Sequence, residues 1–218
     1  MFLDTANTEH IEKALQSGIF QGVTTNPTLL LKEGENRGQK VEELFTKDVP
    51  FLFIQAVGST FNELYEDAHR IYSLAAEEKK IGVKISLNQT GLSVISKLKQ
   101  ENPDYTILGT AIYSADQAIL GALAQCDYLA PYVNRMSTHG IDPYDAIKKT
   151  RAFIDFRNLN AKIMGASFKN SQQVIQALTS GAHTATIPYD IYVQMIDKEV
   201  ALSAIDVFNQ HGYELRDS

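Results

Sequence analysis

One lysine of this sequence lies inside an apolar, strand-like run. Lys84 falls between Val83 and Ile85, in a segment that ends at Ser86. The two-residue period of a β-strand turns Val83 and Ile85 to one face, and Lys84 to the other together with Gly82 and Ser86. If the branched aliphatic residues pack against helices, Lys84 points into the interior of the sheet.

An interior lysine can do chemistry that a surface lysine cannot. Lysine is rarely buried without a partner or a purpose. Burial disfavours the ammonium form and lowers the pKa, so the neutral amine becomes available as a nucleophile. A neutral amine facing a polar cavity is what Schiff-base formation with a carbonyl requires. The plain alternatives are a lysine paired with Asp4 in the interior, or an exposed lysine on a wrongly assigned strand.

The segments around this lysine alternate between short apolar runs and longer stretches of helical period. The strand-like runs are residues 2–4, 22–25, 51–57, 82–86, 105–110, 128–133, 162–167 and 184–188. They are almost continuously apolar, which is typical of strands buried on both faces of a parallel sheet. A helix-like segment follows each run. One of them, 60–78, begins with Thr60 and Glu63 at the spacing of a capping box.

Eight such units in a row predict an α/β fold, a (β/α)8 TIM barrel that forms one domain over residues 1–218. A doubly wound open sheet is the runner-up. It would usually carry a glycine-rich phosphate loop after its first strand, where this chain has Asp4-Thr5-Ala6-Asn7. At 218 residues the chain is shorter than the roughly 250 typical of this barrel, so we expect few insertions.

Polar residues follow the predicted strands at the end where TIM barrels carry their chemistry. They are Asp4, Thr25, Asn26, Gln55, Thr110, Tyr132, Arg135 and Ser167. Each has an ordinary explanation when taken alone, such as a turn at Asn26-Pro27 or a surface salt bridge of Arg135. Their convergence around one inward lysine favours an active site. Arg135 and Ser167 could hold a phosphate, which barrels often bind near their last loops.

Composition excludes several other functions. With 20 Lys and Arg against 26 Asp and Glu, the net charge of −6 argues against binding to nucleic acid. No apolar run approaches the roughly 18 residues of a membrane span, and the N-terminus resembles no secretory signal. The single cysteine fits a reducing compartment, so we expect a cytoplasmic protein. The five histidines lack metal-ligand spacing, which favours an enzyme without metal or cofactor.

Six motifs in order give the chain a resemblance that runs nearly end to end. They are Phe2-Leu3-Asp4-Thr5-Ala6-Asn7, Gly22-Val23-Thr24-Thr25-Asn26-Pro27, Val83-Lys84-Ile85, Leu108-Gly109-Thr110-Ala111-Ile112-Tyr113-Ser114, Ala130-Pro131-Tyr132-Val133-Asn134-Arg135 and Ala166-Ser167-Phe168-Lys169. In these motifs the chain resembles the small transaldolase family that includes fructose-6-phosphate aldolase.

The resemblance implies a class I mechanism on a sugar phosphate. Lys84 would form the Schiff base with the donor ketone, while Asp4 would bind donor hydroxyls and position the lysine. The residues expected to bind substrate are Asn26, Thr25, Arg135 and Ser167, of which the last two would hold the acceptor's phosphate. Tyr132 would be the general acid/base, through a water held by Gln55 and Thr110.

Two positions separate the branches of this family. Transaldolases resemble one another in carrying Glu where this chain has Gln55, and typically Phe where it has Tyr132, so both residues match the aldolase branch. The resemblance therefore implies an aldolase that splits fructose 6-phosphate-like sugars at C3–C4. The alternatives are a transaldolase, which transfers the dihydroxyacetone unit from sedoheptulose 7-phosphate or fructose 6-phosphate, and a sugar-phosphate-binding barrel without catalysis.

Two further expectations concern substrate preference and assembly. The aldolase motif after the lysine usually continues Ile-Pro-Val-Thr, whereas this chain has Ile85-Ser86-Leu87-Asn88, which bears on the preferred substrate. The resemblance implies a homo-oligomer, a pentamer or decamer. Residues 200–208 place an apolar stripe on one helical face, formed by Val200, Ala201, Ala204, Ile205 and Phe208. This stripe could pack on its own barrel or on a neighbouring subunit.

Overall fold

Eight parallel strands close into a barrel in the computed structural model, which describes residues 1–34, 36–75 and 80–216. Neighbours around the ring are consecutive in sequence, and the last strand pairs with the first. The strands are β1 (Phe2–Asp4), β2 (Gly22–Thr24), β3 (Leu52–Gln55), β4 (Ile81–Ser86), β5 (Ile107–Ile112), β6 (Tyr128–Pro131), β7 (Lys162–Gly165) and β8 (Thr184–Ile187). The predicted (β/α)8 TIM barrel is confirmed.

Helices surround the barrel and connect its strands. They are α1 (Thr8–Leu15), α2 (Pro27–Lys32), α3 (Arg37–Phe45), α4 (Phe61–Tyr72), α5 (Gln89–Glu101), α6 (Ala115–Leu123), α7 (Val133–Thr138), α8 (Pro143–Arg157), α9 (Ser171–Thr179), α10 (Tyr189–Ile196) and α11 (Glu199–Arg216). Two helices follow each of β2, β6 and β8. None of the helices within the described ranges is both long and apolar enough to cross a bilayer.

Side-chain caps start most of these helices. The capping residues are Asn7, Asn26, Asn36, Thr60, Asn88, Ser114, Asp142 and Asn170. Each accepts a hydrogen bond from a backbone N–H that the helix itself leaves unpaired. The predicted capping box of Thr60 and Glu63 is confirmed. The helix predicted over 60–78 ends earlier, at Tyr72, and residues 76–78 lie outside the described part of the chain.

Two apolar layers hold the barrel together. Outward-facing strand residues, such as Leu3, Val83 and Ile85, pack with the helices in the larger cluster. A second cluster fills the barrel interior, with Phe2, Phe53, Leu108, Ala130, Met164 and Ala166 as its buried members. Gly82 faces this plug, because a Cβ at that position would collide with the Phe53 ring. This interior cluster fills the barrel below the carboxyl ends of the strands, where the polar side chains lie.

Some predicted boundaries are wrong by a few residues. The run 128–133 ends as a strand at Pro131, and Val133 already begins α7. The run 105–110 starts later and continues to Ile112, past a register shift after Gly109. The stripe on 200–208 does not pack on its own barrel, since α11 has no buried residue.

Candidate active site

Lys84 lies inside the barrel, as its place in the sequence predicts. Its side chain is 5% exposed, and its Nζ donates a hydrogen bond of 2.8 Å to the Thr25 carbonyl oxygen. Burial lowers the pKa of Lys84, and the negative charge of Asp4 opposes that shift. Within the described ranges no ion pair includes Lys84. The paired lysine considered as the plain alternative is therefore absent there.

A cavity of about 430 Å³ opens above this lysine at the carboxyl end of the barrel. Its volume suits a small metabolite. The structure brings most of the predicted site residues to its wall, namely Asp4, Asn26, Gln55, Lys84, Tyr132, Arg135 and Ser167. Six separate segments thus converge on one pocket.

Thr25 and Thr110 lie behind the cavity wall. The Thr25 hydroxyl donates to the Phe53 carbonyl oxygen at 3.1 Å and is fully buried, so Thr25 presents only its backbone to Lys84. Thr110 is also fully buried, and its hydroxyl lies 3.0 Å from the Tyr132 hydroxyl. The structure therefore does not place the Thr25 side chain against substrate.

Tyr132 combines a partly buried ring with a hydroxyl at the cavity. It follows β6, where Pro131 ends the strand, and it occupies the position before α7. Burial raises the pKa of Tyr132, and its hydrogen bond with Thr110 partly offsets that shift. The phenol is accordingly held in its protonated form, able to donate a proton and then, as the phenolate, to take one from a substrate hydroxyl.

Arg135 stacks over Tyr132 at the mouth of the cavity. Its guanidinium carbon is 5.0 Å from the Tyr132 ring centroid, and Nη1 donates to the Tyr113 hydroxyl at 3.4 Å. A guanidinium in this place offers further N–H groups to an anion. Tyr113 was missed in the sequence, although it directly follows β5 as the predicted site residues follow their strands.

Gln55 and Ser86 meet across neighbouring strands. The Gln55 amide nitrogen lies 3.5 Å from the Ser86 hydroxyl, which is long for a hydrogen bond. The amide carbonyl of Gln55 points away from Ser86. The two residues occupy adjacent strands β3 and β4, on which Gln55 pairs with Lys84. Ser86 thus adds an inward hydroxyl beside Gln55 where the aldolase motif usually has proline.

Asp4 accepts a hydrogen bond from Thr24, which is not among the predicted site residues. The Thr24 Oγ1 lies 2.7 Å from Asp4 Oδ1 and 2.7 Å from the Thr186 Oγ1. Thr186 also lines the cavity. The pattern that could have found both is the two-residue alternation of β2 and β8, which turns Thr24 and Thr186 inward.

Two cavity residues adopt a left-handed backbone conformation without being glycine. Ala111 has φ 56° and Ser167 has φ 58°. Such residues are uncommon and cluster at functional sites, where the surrounding structure maintains the strain. The Gln117 side chain supplies that support for Ala111, because it bonds the Ala111 and Leu87 carbonyls and the Tyr113 N–H. Asn26 is held too, since its Oδ1 caps α2 at the Leu29 N–H.

Comparisons with known proteins agree with this geometry. The family model described as Transaldolase/Fructose-6-phosphate aldolase matches residues 1–215. A Streptococcus pneumoniae protein named probable fructose-6-phosphate aldolase is 36% identical, over 99% of this chain and 97% of its own. Proteins named probable transaldolase from Clostridium kluyveri and Clostridium botulinum are 33% and 31% identical, over 89% of this chain and 88% of theirs. The chain belongs to the transaldolase/fructose-6-phosphate aldolase family.

Proposed function

We propose that this protein is a class I aldolase that cleaves and forms the C3–C4 bond of fructose 6-phosphate-like sugar phosphates. The products of cleavage would be dihydroxyacetone and glyceraldehyde 3-phosphate. One observation carries the proposal: Lys84 is buried at the base of a polar cavity, without an ion-pair partner in the described part of the chain, and its pKa is lowered. A neutral amine in this place can attack the substrate ketone.

The reaction begins with that attack. The Lys84 amine adds to C2, and the Tyr132 phenol gives its proton to the resulting C2 hydroxyl, which leaves as water so that a protonated iminium forms. The Tyr132 phenolate left by that proton transfer then takes the proton from the C4 hydroxyl, through a water held by Gln55 and Thr110. The C3–C4 bond then breaks, its electron pair moves into the iminium to form an enamine, and the aldehyde leaves. Tyr132 then protonates C3, and its phenolate takes a proton from the water that hydrolyses the iminium, which releases dihydroxyacetone and restores the neutral amine.

The cavity wall divides into two binding regions in this proposal. Asp4 and Asn26 bind the hydroxyls of the ketone part beside Lys84. Arg135 and Ser167 bind the phosphate at the other side of the cavity. The Arg135 guanidinium would exchange its hydrogen bond to the neutral Tyr113 hydroxyl for bonds to the phosphate, which is negatively charged. The support is that these four side chains line the same cavity as Lys84. The relative named probable fructose-6-phosphate aldolase supports a sugar-phosphate substrate.

A transaldolase is the second candidate, because several relatives are named probable transaldolase. Gln55 and Tyr132 favour the aldolase. An amide cannot take a proton from the bridging water as a carboxylate can, so the proton must pass to the tyrosine. Cleavage of fructose 6-phosphate, measured with and without erythrose 4-phosphate, separates the two. The aldolase turns over without the acceptor, whereas a strict need for it contradicts the proposal.

Tyr132→Phe provides the matching test of the proton step. The variant keeps the Lys84 amine and most of the cavity, but loses the hydroxyl bonded to Thr110. We expect it to form the Lys84 adduct and to lose cleavage by about 10²-fold or more, as is usual for a general acid/base. A variant that cleaves at the normal rate would remove Tyr132 from the mechanism.

We also propose that the protein acts as a homo-oligomer, a pentamer or decamer, in the cytoplasm. The support for assembly is the exposed apolar face of α11, where Val200 is 84% and Phe208 is 70% exposed. Apolar surface of this extent on one helix is typical of an interface. The lone cysteine, Cys126, supports a reducing compartment.

A further inference from the structure

Two threonine hydroxyls lie next to Asp4 at the base of the cavity, and the aldol steps above give them no part. Thr24 on β2 and Thr186 on β8 belong to the two strands that flank β1, which carries Asp4. Thr24 is fully buried and Thr186 is 2% exposed. Their hydroxyl oxygens are 2.7 Å apart, although 162 residues separate them in sequence. The closure of the barrel therefore creates this contact.

The hydrogen bonds of this pair can run in only one direction while Asp4 is ionised. A carboxylate accepts hydrogen bonds, and a hydroxyl has a single hydrogen to donate. Thr24 donates to Asp4 Oδ1 at 2.7 Å, so the hydrogen between the two threonines must come from Thr186. The result is a chain from Thr186 through Thr24 to Asp4. Each bond of such a chain polarises the next one.

We propose that Thr186 is a positioning residue of the aldol reaction, which acts through Thr24 to hold the Asp4 carboxylate toward Lys84 and the donor hydroxyls. This inference rests on the proposed function. Threonine is branched at Cβ and has few side-chain rotamers, so both hydroxyls are fixed by the strands that carry them. A carboxylate that accepts a short bond from a fixed donor is restricted in its own rotation.

The same strand supplies a matched control. Thr184 lies two residues before Thr186 on β8, and therefore faces the same side of the strand. It is also buried, and in the described part of the chain its hydroxyl has no hydrogen-bond partner. Replacing Thr184 by valine removes a buried hydroxyl from β8 without touching the chain to Asp4.

The test compares Thr186→Val, Thr186→Ser and Thr184→Val with the unmodified protein. Valine keeps the shape of threonine and removes the hydroxyl, while serine restores it. The measurements are kcat/KM for fructose 6-phosphate cleavage, the rate at which borohydride traps dihydroxyacetone on Lys84, and Tm as a check of folding. We expect Thr186→Val to lose roughly tenfold in both rates, the scale of one hydrogen bond to a charged network. Thr186→Ser should recover most of that loss, and Thr184→Val should stay within about twofold of the unmodified protein.

A double-mutant cycle tests whether Thr186 acts through Thr24. If it does, Thr24→Val combined with Thr186→Val loses no more activity than Thr24→Val alone. Multiplied losses would overturn the inference, as would a Thr186→Val variant as active as the unmodified protein, or a Thr184→Val variant as impaired as Thr186→Val. If Thr186→Val does not fold, Thr186→Ala takes its place with the same expectation. An unmodified protein that forms no adduct on Lys84 would instead refute the proposed function.

Discussion

At the scale of single residues, two buried lysines show how surroundings decide what an amine does. Lys84 is 5% exposed, and among the described residues the Thr25 carbonyl, at 2.8 Å, is the only hydrogen-bond partner of its amine. Lys99 is 8% exposed, but it forms an ion pair of 2.8 Å with Asp127. A buried amine without a counter-ion lowers the stability of the folded state, so its removal should stabilise the protein. Removal of a buried amine that pairs with a carboxylate should destabilise the protein, because the carboxylate then lacks a counter-ion.

Replacing each lysine by methionine should therefore have opposite effects. We expect Lys84→Met to abolish cleavage and to raise the free energy of unfolding by about 1 kcal/mol at pH 7, roughly 2–4 °C in Tm. Lys99→Met should lower the free energy of unfolding by about 1–2 kcal/mol and leave the Lys84 adduct intact. Thermal and urea unfolding check both variants, and a Lys84→Met protein that melts below the unmodified one would contradict the account.

The stability gain of Lys84→Met should depend on pH. Because the pKa of Lys84 is lower in the folded than in the unfolded state, the unfolded chain binds more protons between the two values. Stability of the unmodified protein therefore rises with pH through that window. The difference between the two proteins should be largest below the folded-state pKa and should shrink as pH approaches that of an ordinary lysine. Urea unfolding at a series of pH values measures it.

The rate of adduct formation should follow the same ionisation. It rises with pH as Lys84 loses its proton, and it levels off below the ordinary lysine pKa because burial lowers the pKa of Lys84. Asp4 opposes that shift, so Asp4→Asn should move the rise to lower pH. Borohydride trapping of dihydroxyacetone over a pH series measures both curves. A rise that moves to higher pH in Asp4→Asn would exclude Asp4 as the charge that acts on Lys84.

The sequence predicts the placement of Lys84 because a strand turns alternate residues to opposite faces, and Val83 and Ile85 are apolar. Thr25 was wrongly predicted to bind substrate, because its hydroxyl bonds the Phe53 carbonyl oxygen instead. The same alternation would have shown this, since Thr24 faces inward and its neighbour Thr25 therefore faces outward. The hydrogen bond between Thr24 and Thr186 could not be predicted from the sequence either, because this contact forms only when β8 pairs with β1 and closes the barrel.

At the scale of elements, close packing of α5 on β4 fixes the strand that carries Lys84. Gly91, in the first turn of α5, lies so near the Ser86 carbonyl that a Cβ there would collide with it. Asn88 caps the same helix by accepting from the Gly91 N–H at 2.8 Å. The cap and the missing side chain together seat α5 on the end of β4.

Gly91→Ala should therefore destabilise the protein. The added methyl group would push α5 away from β4, at a cost of about 1–3 kcal/mol in the free energy of unfolding. Gly38→Ala, in α3, is the matched control, because a Cβ there meets only ordinary contacts and alanine favours the helix by about 0.5–1 kcal/mol. Urea unfolding of both variants checks this, and equal stability would show that α5 can shift freely.

Strand and helix types follow from the sequence better than the ends of these elements do. The apolar runs and caps identify all eight strands, because hydrophobic period and capping act locally. The end of β6 is different: Val133 looks like a strand residue, yet it begins α7, since the chain must turn away from the barrel after Pro131. Ala111 and Ser167 have positive φ angles, which the sequence does not predict because neither residue is glycine.

At the scale of the whole molecule, α11 is the part of the described chain that the barrel leaves uncovered. None of its residues is buried, and its exposed apolar side chains include Val200, Ile205 and Phe208. The sequence predicts this amphipathic helix but not its partner, because an apolar stripe packs equally well on its own barrel or on another subunit.

Phe208→Asp should weaken the proposed homo-oligomer. A charge placed in an apolar interface is costly, so we expect a smaller species by sedimentation and light scattering, with a barrel that remains folded. Gln210→Glu adds a charge to the same helix at an exposed polar position, and should leave the assembly unchanged. An unmodified protein that sediments as a monomer would contradict the proposed assembly.

The most direct test of the central claim is to trap the covalent intermediate. The protein is incubated with dihydroxyacetone, reduced with borohydride and digested, and the modified residue is located by mass spectrometry. The Schiff-base mechanism predicts one reduced adduct, on Lys84, and none in a Lys84→Ala variant, even though the sequence has 13 other lysines. An adduct on another lysine, or no adduct at all, would contradict the Schiff-base mechanism.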